Sequence, residues 1–282
     1  MNRFSAIGGF VVAALSIVVA AQTPPLPPAP KGFDVRQEAI PHGTVGGFVY
    51  RSKTTGGTRP AVVYTPPGYS SDQKYPVLYL LHGVGDDETG WQQKGSAGVI
   101  LDNLYSRKKL VPMIVVMPNG FARRPGSTGP ARPAAGGRRG PGLDNSAFES
   151  DLLTDLIPFV ESHYPAMADR DHRGLAGLSM GGGQALSIGL RHLDVFAFVG
   201  GFSAAANMTT VPANLAEAQA AHPLSVLWLS CGDKDRLMQR NSAIHDKLDD
   251  LKIPHLWHID SGAHEWPVWK NDLYLLSQRL FQ

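Results

Sequence analysis

The chain has 282 residues, of which 43% are hydrophobic and 18% are charged, and its formal net charge is +2. This length and composition allow one large hydrophobic core, and we predict a single domain. So small a net charge, with no stripe of lysine and arginine along a helical face, argues against a nucleic-acid partner.

The first 21 residues have the three parts of a secretory signal peptide. A short basic start ends at Arg3, an apolar stretch at residues 7–19 is too short for a comfortable membrane span, and Val19-Ala20-Ala21 is a small-residue cleavage pattern. We therefore expect a secreted or periplasmic protein without stable membrane association. The alternative is an uncleaved N-terminal anchor, which is disfavoured because no charged stop-transfer flank follows.

The rest of the chain alternates between two kinds of pattern. A proline-rich stretch at residues 22–32 predicts an extended linker, and we expect the folded domain over residues 33–282. Within it, apolar runs of strand length alternate with segments whose apolar residues are three and four apart. This alternation predicts an α/β fold with a mostly parallel central sheet and helices on both faces. The predicted strands are "AVVYTPP", "PVLYLLHG", "MIVVMPN", "RGLAGLS", "FAFVGGFSA", "VLWLSCG" and "HLWHIDSG"; the predicted helices are "AGVILDNLYSRKK", "AFESDLLTDLIPFVESHY", "GGGQALSIGLRHL", "RLMQRNSAIHDKLDDL" and "WKNDLYLLSQRLF".

One stretch does not join the alternation. Residues 120–143 are rich in glycine, proline and arginine and have almost no large apolar side chain, which predicts a long mobile loop. Its arginines either attract an acidic ligand or are simply solvated, and we favour the second interpretation. They are Arg123, Arg124, Arg132, Arg138 and Arg139.

The strongest functional motif is Gly177-Leu178-Ser179-Met180-Gly181, which matches the G-x-S-x-G pattern. A strand pattern precedes it and a helix pattern follows it, so we place Ser179 at a sharp strand-to-helix turn. Glycines two residues before and two residues after the serine avoid collisions with the neighbouring strand and helix. This context favours a nucleophile elbow over an ordinary glycine-rich turn.

A serine hydroxyl becomes a good nucleophile only when a histidine takes its proton and a carboxylate orients that histidine. His264 follows the strand "HLWHID", and Asp233 and Asp235 follow the strand "VLWLSCG". Ligands bind at such strand ends in open α/β sheets. We predict that His264 is the base. The residues alone do not separate Asp233 from Asp235 as the acid, and Asp260 is less favoured.

The same face is predicted to carry an oxyanion hole. We expect its donors to be the main-chain N–H groups of Met180, next to the serine, and of Val84, in the loop after an earlier strand. His82, beside that strand end, is interpreted as structural support. Apolar side chains next to these loops are predicted to enclose a flat phenyl ring, although packing of the C-terminal helix is an equally good interpretation for Trp269. These side chains are Trp91, Leu237, Trp266 and Trp269.

Several of these stretches together resemble a known family. "LLHGVGDDETGW", "GLSMGGGQAL", "SCGDKDRL", "GAHEWPVW" and "RPAVVYTPPGYSSDQKYPVLYLLHG" are similar to the esterase D group of α/β hydrolases. The greatest similarity is to bacterial feruloyl esterases of carbohydrate esterase family 1, and it extends from about Pro41 to the C-terminus. The resemblance implies that Ser179 is the nucleophile, Asp235 the triad acid and His264 the base.

The resemblance also implies a reaction. Members of this branch cleave the ester between hydroxycinnamic acids and plant cell-wall arabinoxylan, through an acyl-enzyme, with no metal or organic cofactor. The expected partners are feruloylated or acylated polysaccharide fragments or small aryl esters. The alternatives are an acetyl-xylan or general short-chain esterase and, from a different class, a catalytically silent carbohydrate-binding protein. The long basic loop at residues 120–143 departs from the family pattern and leaves the substrate preference open.

Overall fold

The computed structural model describes residues 27–127 and 145–282 of the chain. Three of the predicted features fall wholly or partly outside these ranges: the signal peptide at residues 1–21, the start of the linker, and most of the loop at residues 120–143. Among the described residues, no helix has the length and apolar character needed to cross a bilayer.

One eight-stranded sheet forms the centre of the molecule. Its strands are β1 (Thr44–Ser52), β2 (Gly57–Thr65), β3 (Val77–Leu81), β4 (Ile114–Pro118), β5 (Arg173–Leu178), β6 (Phe198–Phe202), β7 (Val226–Gly232) and β8 (Leu256–Asp260). Their order across the sheet is β1-β2-β4-β3-β5-β6-β7-β8. β1 pairs with β2 and β2 with β4 in antiparallel fashion, and all other pairs are parallel. The predicted α/β-hydrolase fold, with a mostly parallel sheet, is confirmed.

The helices lie on both faces of this sheet. They are α1 (Gly90–Gln93), α2 (Ala97–Ser106), α3 (Asn145–Asp151), α4 (Ile157–His163), α5 (Ser179–Gly189), α6 (Leu215–Ala221), α7 (Met238–Asp250) and α8 (Trp266–Ser277). Side chains of α2 and α8 pack in one core cluster, and those of α4, α5 and α7 pack in another.

Strand β3 shows why the sheet needs covering on both faces. All five of its residues are buried. Val77, Tyr79 and Leu81 belong to one core cluster, whereas Leu78 and Leu80 belong to the other. Because successive side chains of a strand point to opposite faces, a wholly apolar strand can bury all of them only between two layers of helices.

Several elements differ from the sequence prediction, and the short helices α1 and α6 were not predicted. β1 is an eighth strand that the pattern did not show, because it is an edge strand with mostly exposed residues and carries Gly46 and Gly47. The predicted single helix at residues 147–164 contains a π-helical turn at Leu152–Leu156, just before α4. Pro158 has no N–H to donate to the preceding turn, so the regular α-helical ladder is broken there.

The described chain before β1 is attached to the α2 and α8 side of the molecule. The Ala29 N–H donates to Asn271 Oδ1 at 3.2 Å, and Asn103 Nδ2 donates to the Phe33 carbonyl at 2.8 Å. The rings of Phe33 and Tyr274 meet edge to face, with centroids 5.2 Å apart. The last residues of the predicted linker therefore already contact the domain.

Candidate active site

Ser179 lies at the junction of β5 and α5, at the carboxyl edge of the parallel strands. Its φ angle is +50°, in the left-handed region that L-residues other than glycine rarely adopt. Two main-chain hydrogen bonds hold this turn: the Gly181 N–H donates to the His82 carbonyl at 3.1 Å, and the Ala205 N–H donates to the Ser179 carbonyl at 2.7 Å. The strained turn aims the hydroxyl out of the end of the sheet, as a nucleophile elbow requires.

The glycines around the serine are dictated by close contacts. A Cβ atom on Gly177 would lie 2.7 Å from the Gly181 carbonyl carbon, and one on Gly181 would lie 2.5 Å from the His82 carbonyl oxygen. A Cβ on Gly183 would lie 2.6 Å from the Ala205 carbonyl oxygen. Real Cβ atoms do not come so close to main-chain atoms, so this packing of β5, α5 and the adjoining loops requires glycine at all three positions.

A continuous chain of hydrogen bonds starts at the serine. Ser179 Oγ lies 2.9 Å from His264 Nε2, and His264 Nδ1 lies 2.8 Å from Asp235 Oδ2. The second oxygen of Asp235 accepts the Leu237 N–H at 2.8 Å, and its side chain is fully buried. The carboxylate therefore has a fixed orientation, which in turn fixes the ring of His264 with its Nε2 toward the serine.

The structure separates the two candidate acids. Asp233 Oδ1 accepts the Gly262 N–H at 2.8 Å, and the Lys234 N–H donates to the Gly262 carbonyl at 2.9 Å. Asp233 thus ties the loop after β7 to the loop after β8 and has no contact with the histidine that would orient it. At the same place a Cβ atom on Gly232 would lie 2.4 Å from the Gly262 carbonyl oxygen. These contacts hold Asp235 and His264 at a constant separation.

Burial controls the protonation of the histidine. It lowers the pKa of His264 below the ordinary value of 6.5, and the hydrogen bond and the charge of Asp235 oppose this shift. Since the lowering dominates, His264 is neutral at neutral pH and its Nε2 has a lone pair for the serine proton.

The loop after β3 also lies against the serine. A Cβ atom on Gly83 would lie 2.6 Å from Leu178 Cδ1 and 3.3 Å from Ser179 Cβ, so this loop packs directly against the serine and a larger residue would displace the Leu178 side chain. Val84 follows it, and its side chain is 51% exposed. Met180 is the second residue of α5, where a helix leaves its first N–H groups without partners of its own. Gly83 thus brings the loop that continues into Val84 against Ser179, and Met180 follows Ser179 directly in the chain.

His82 fastens this loop to the core. Its Nδ1 donates to the Gly83 carbonyl at 2.8 Å, and its Nε2 accepts the Gly120 N–H at 2.9 Å. Because burial lowers its pKa, the neutral tautomer with the proton on Nδ1 satisfies both bonds. His82 therefore positions main chain on either side of it, in line with the supporting role expected from the sequence.

The four predicted pocket residues have different surroundings. Trp266 is half-buried and packs edge to face against Trp269, with centroids 5.4 Å apart. Trp269 is 6% exposed and Leu237 is 9% exposed, so each has little surface for a ligand. Trp91 is 0% exposed, and its Nε1 donates to the Leu81 carbonyl at 2.9 Å. The prediction that Trp91 contacts the substrate is therefore wrong: it lies beneath Trp266, with the two ring centroids 5.3 Å apart.

Two amides near the serine were missed by the sequence analysis. Asn241 on α7 accepts the Ala204 N–H at 3.0 Å and donates to the Ala204 carbonyl at 3.1 Å. Gln184 on α5 donates to the Gly120 carbonyl at 3.0 Å. Both side chains are buried and anchor loops that border Ser179. A polar residue inside an otherwise amphipathic helix was the available signal, but it does not identify the main-chain partner.

The predicted arginine loop is described only at its beginning. Arg124 donates from Nη1 to Ser146 Oγ at 2.8 Å and from Nη2 to Ser150 Oγ at 2.9 Å. Arg123 donates to the Ser127 carbonyl at 2.9 Å. Arg124 is therefore fastened to α3, while Arg132, Arg138 and Arg139 lie outside the described residues.

The parallel sheet, the strained serine at a strand-to-helix turn and the serine–histidine–aspartate chain together define an α/β hydrolase. Comparison with known protein families shows which family of α/β hydrolases the chain belongs to. The Esterase family model matches residues 52–279, and the chain belongs to that family. Hydrolysis of a carboxylic ester is accordingly its class of reaction.

Individual relatives agree with this assignment. A ferulic acid esterase of family CE1 from Anaeromyces mucronatus is 28% identical with a TM-score of 0.80, over 90% of this chain and 96% of that chain. The endo-1,4-beta-xylanase/feruloyl esterase of Xylanibacter ruminicola is 32% identical over 91% of this chain, which spans 34% of that protein's length. The feruloyl esterase module from Clostridium thermocellum, at 23% identity, a TM-score of 0.74 and coverage of 93% and 95%, shares the fold. The resemblance to feruloyl esterases of carbohydrate esterase family 1 is thereby confirmed.

Proposed function

We propose that this chain is a feruloyl esterase that releases hydroxycinnamic acids from plant cell-wall arabinoxylan. The observation that carries the proposal is the hydrogen-bonded chain of Ser179, His264 and Asp235, with Trp266 beside it. The relatives support the acyl group: one solved structure of the Anaeromyces mucronatus enzyme is a complex with ferulic acid, and the Clostridium thermocellum module is a complex with sinapinate.

In the proposed reaction His264 first acts as a base. Its Nε2 takes the proton of the Ser179 hydroxyl while Oγ attacks the ester carbonyl carbon. The negative charge that develops on the carbonyl oxygen is stabilised by the N–H groups of Val84 and Met180. His264 then gives its proton to the leaving alcohol, and the acyl group stays on Ser179.

Deacylation repeats these steps with water. Neutral His264 takes a proton from a water molecule, which attacks the acyl carbon, and the same proton returns to Ser179 as the carboxylic acid leaves. Asp235 keeps its charge throughout and stabilises the imidazolium that forms twice per turnover. The buried carboxylate and its short bond to Nδ1 suit this role.

The proposed pocket is centred on Trp266. A phenyl ring has a large flat apolar surface, and an indole that is only half-buried can stack against it or meet its edge. Leu237 and Trp269 have little exposed area, and we assign both mainly to supporting the loops that carry Asp235 and His264.

The export of the protein belongs to the same proposal. A polysaccharide substrate lies outside the cell, which agrees with the signal-like pattern of residues 1–21. We expect the mature chain to begin near Gln22 and to form one esterase domain over residues 33–282. N-terminal sequencing of protein recovered outside the cytoplasm tests this, and an intact Met1 on that protein would contradict it.

Activity toward a set of esters tests the function. We expect methyl ferulate and methyl p-coumarate to be cleaved with higher kcat/KM than 4-nitrophenyl acetate or acetyl-xylan, and Ser179→Ala to remove both activities. A clear preference for acetyl esters would instead support an acetyl-xylan or short-chain esterase. No hydrolysis of any of these esters would support the catalytically silent carbohydrate-binding protein.

A further inference from the structure

Three metal-ligating side chains meet at the far end of the β7-α7-β8 unit. His245 and Asp249 are one turn apart on α7, and His255 immediately precedes β8. One donor atom from each residue lies within 4.8 Å of the other two. β8 separates this cluster from the loop that carries His264, and five strand residues span about 16 Å. The cluster is therefore distinct from the catalytic triad.

The imidazole rings of His245 and His255 contact each other through one nitrogen of each ring. His245 Nδ1 lies 2.7 Å from His255 Nε2. On its other side, His255 Nδ1 lies 2.8 Å from the Ile253 carbonyl, and a carbonyl can only accept a hydrogen bond. The Nδ1 of His255 therefore carries the proton, and its Nε2 presents a lone pair toward His245. A carbonyl on the outer nitrogen is also the usual way in which a metal-binding histidine is oriented.

The carboxylate completes the set of donors. Asp249 Oδ1 lies 3.9 Å from His255 Nε2, the nitrogen that faces His245, and Asp249 Oδ2 lies 3.6 Å from His245 Nε2, the ring nitrogen of His245 that does not contact His255. The side chain of His255 is 3% exposed and that of Asp249 is 64% exposed, so the cluster has a rigid inner ligand and an adjustable outer one. All three residues line a groove that is open to solvent, which leaves access for an ion and for water ligands.

We propose that His245, Asp249 and His255 bind one divalent transition-metal ion, with zinc as the preferred ion. Zinc binds histidine nitrogen and carboxylate oxygen at about 2.0–2.2 Å, which places neighbouring ligand atoms about 3.3 Å apart in a tetrahedron. On binding, His245 takes its other neutral tautomer, with the proton moved from Nδ1 to Nε2, so that the lone pairs of His245 Nδ1 and His255 Nε2 both face the ion; the two rings separate slightly to admit it. Two neutral imidazoles and one carboxylate favour zinc over magnesium or calcium, which prefer oxygen ligands only.

The ion would join two elements that lead to the catalytic triad. α7 begins at Met238, shortly after Asp235, and β8 ends at Asp260, shortly before His264. A ligand that binds only the folded chain raises the free energy of unfolding by an amount that grows with the logarithm of the free ligand concentration relative to the dissociation constant. We therefore expect zinc to stabilise the β7-α7-β8 unit and to take no part in ester hydrolysis.

Calorimetric titration with zinc chloride tests the site, using EDTA-treated chain without a polyhistidine tag. We expect saturation at one ion per chain, and a dissociation constant raised about tenfold or more by Asp249→Asn and by His245→Gln. These two side chains are partly exposed, so both variants should fold, which circular dichroism checks. His255→Gln removes the inner ligand and should abolish binding.

Matched controls separate this site from other histidine–carboxylate pairs. His192 lies 2.7 Å from Glu149 in a pair without the second histidine, so His192→Gln should bind zinc as the parent does. His258→Gln tests the second cluster of potential metal ligands, formed by His258, Asp260 and Asp272, and His264→Ala tests the triad; both variants should also bind zinc like the parent. Absence of saturable binding by the parent would overturn the proposal. Parent-like binding by Asp249→Asn and His245→Gln, or loss of binding in any of the three controls, would do so too.

Discussion

The rings of Trp269 and His264 meet in a T-shaped arrangement, with centroids 4.9 Å apart and planes inclined at 86°. Trp269 is almost fully buried and also contacts Trp266, so it supports the histidine from within the core. Of the two interpretations that the sequence left equal, packing of the C-terminal helix is favoured by this geometry.

Trp269→Ala should therefore lower kcat for every ester to a similar extent. Loss of the ring leaves a cavity beside His264, and the imidazole loses one of the contacts that hold it toward Ser179. Steady-state kinetics with methyl ferulate and with 4-nitrophenyl acetate check this. A rise in KM confined to methyl ferulate would instead show that Trp269 is part of the binding surface.

Trp266→Ala should instead raise KM for the aromatic ester, with little effect on the acetyl ester. Because Trp266 is half-buried beside the triad, its loss should weaken binding of the aromatic acyl group and leave the catalytic chain intact. We expect kcat/KM for methyl ferulate to fall about tenfold or more, mainly through KM, as expected for loss of one aromatic contact. The same constant for 4-nitrophenyl acetate should change little, and an equal fall for both esters would contradict this role.

Asp235→Asn and Asp233→Asn form a matched pair on one loop. An amide at position 235 can donate to Nδ1 and so favours the wrong tautomer of His264, and we expect kcat to fall by about 10³–10⁴-fold. An amide at position 233 still accepts the Gly262 N–H through its oxygen, and kcat should stay near that of the parent. Near-full activity of Asp235→Asn, or a large loss in Asp233→Asn alone, would reverse the assignment.

The pH dependence follows from the burial of His264. Catalysis needs the neutral imidazole, so kcat/KM should rise with pH as His264 loses its proton and then reach a plateau. Because burial lowers the pKa of His264, the midpoint of this rise should lie below 6.5. A pH profile with a small neutral ester measures it, and a midpoint clearly above 6.5 would show that the attraction of Asp235 outweighs desolvation.

Glycine substitutions test the packing of the elbow. Gly181→Ala places a Cβ atom against the His82 carbonyl, and we expect a loss of about 1–3 kcal/mol in the free energy of unfolding. Gly46→Ala is the matched control, because nothing lies within 4 Å of its added Cβ. Urea denaturation compares the two variants. Equal stability of Gly181→Ala and the parent would mean that the turn relaxes without cost.

The sequence predicted the parallel strands and the serine turn because both depend on local patterns. Runs of apolar residues on β3 to β7 can be read directly, and the glycines around Ser179 accompany a known backbone conformation. β1 was missed for the converse reason: an exposed edge strand has no apolar run, and its pairing with β2 supplies its order.

The residue pattern alone could not identify the triad acid or the exposure of the pocket residues, because both depend on contacts between distant parts of the chain. Asp233 and Asp235 are two positions apart on one loop, and only the turn between β7 and α7 decides which carboxylate faces His264. Trp91 was predicted at the surface because it ends the loop after β3. It is instead covered by Trp266 and packs against Phe202, with its indole N–H donating to the Leu81 carbonyl, and no local pattern reveals these contacts.

Detection of the acyl-enzyme tests the central claim most directly. Protein mixed with 4-nitrophenyl ferulate and quenched in acid should show, by intact mass spectrometry, the addition of one feruloyl group, and peptide mapping should locate it on Ser179. A burst of 4-nitrophenol equal to the enzyme concentration should accompany it whenever deacylation is the slower step. The account predicts this adduct in the parent and its absence in Ser179→Ala. Turnover of the ester by Ser179→Ala at the parent's rate, or a feruloyl group on another residue of the parent, would contradict it.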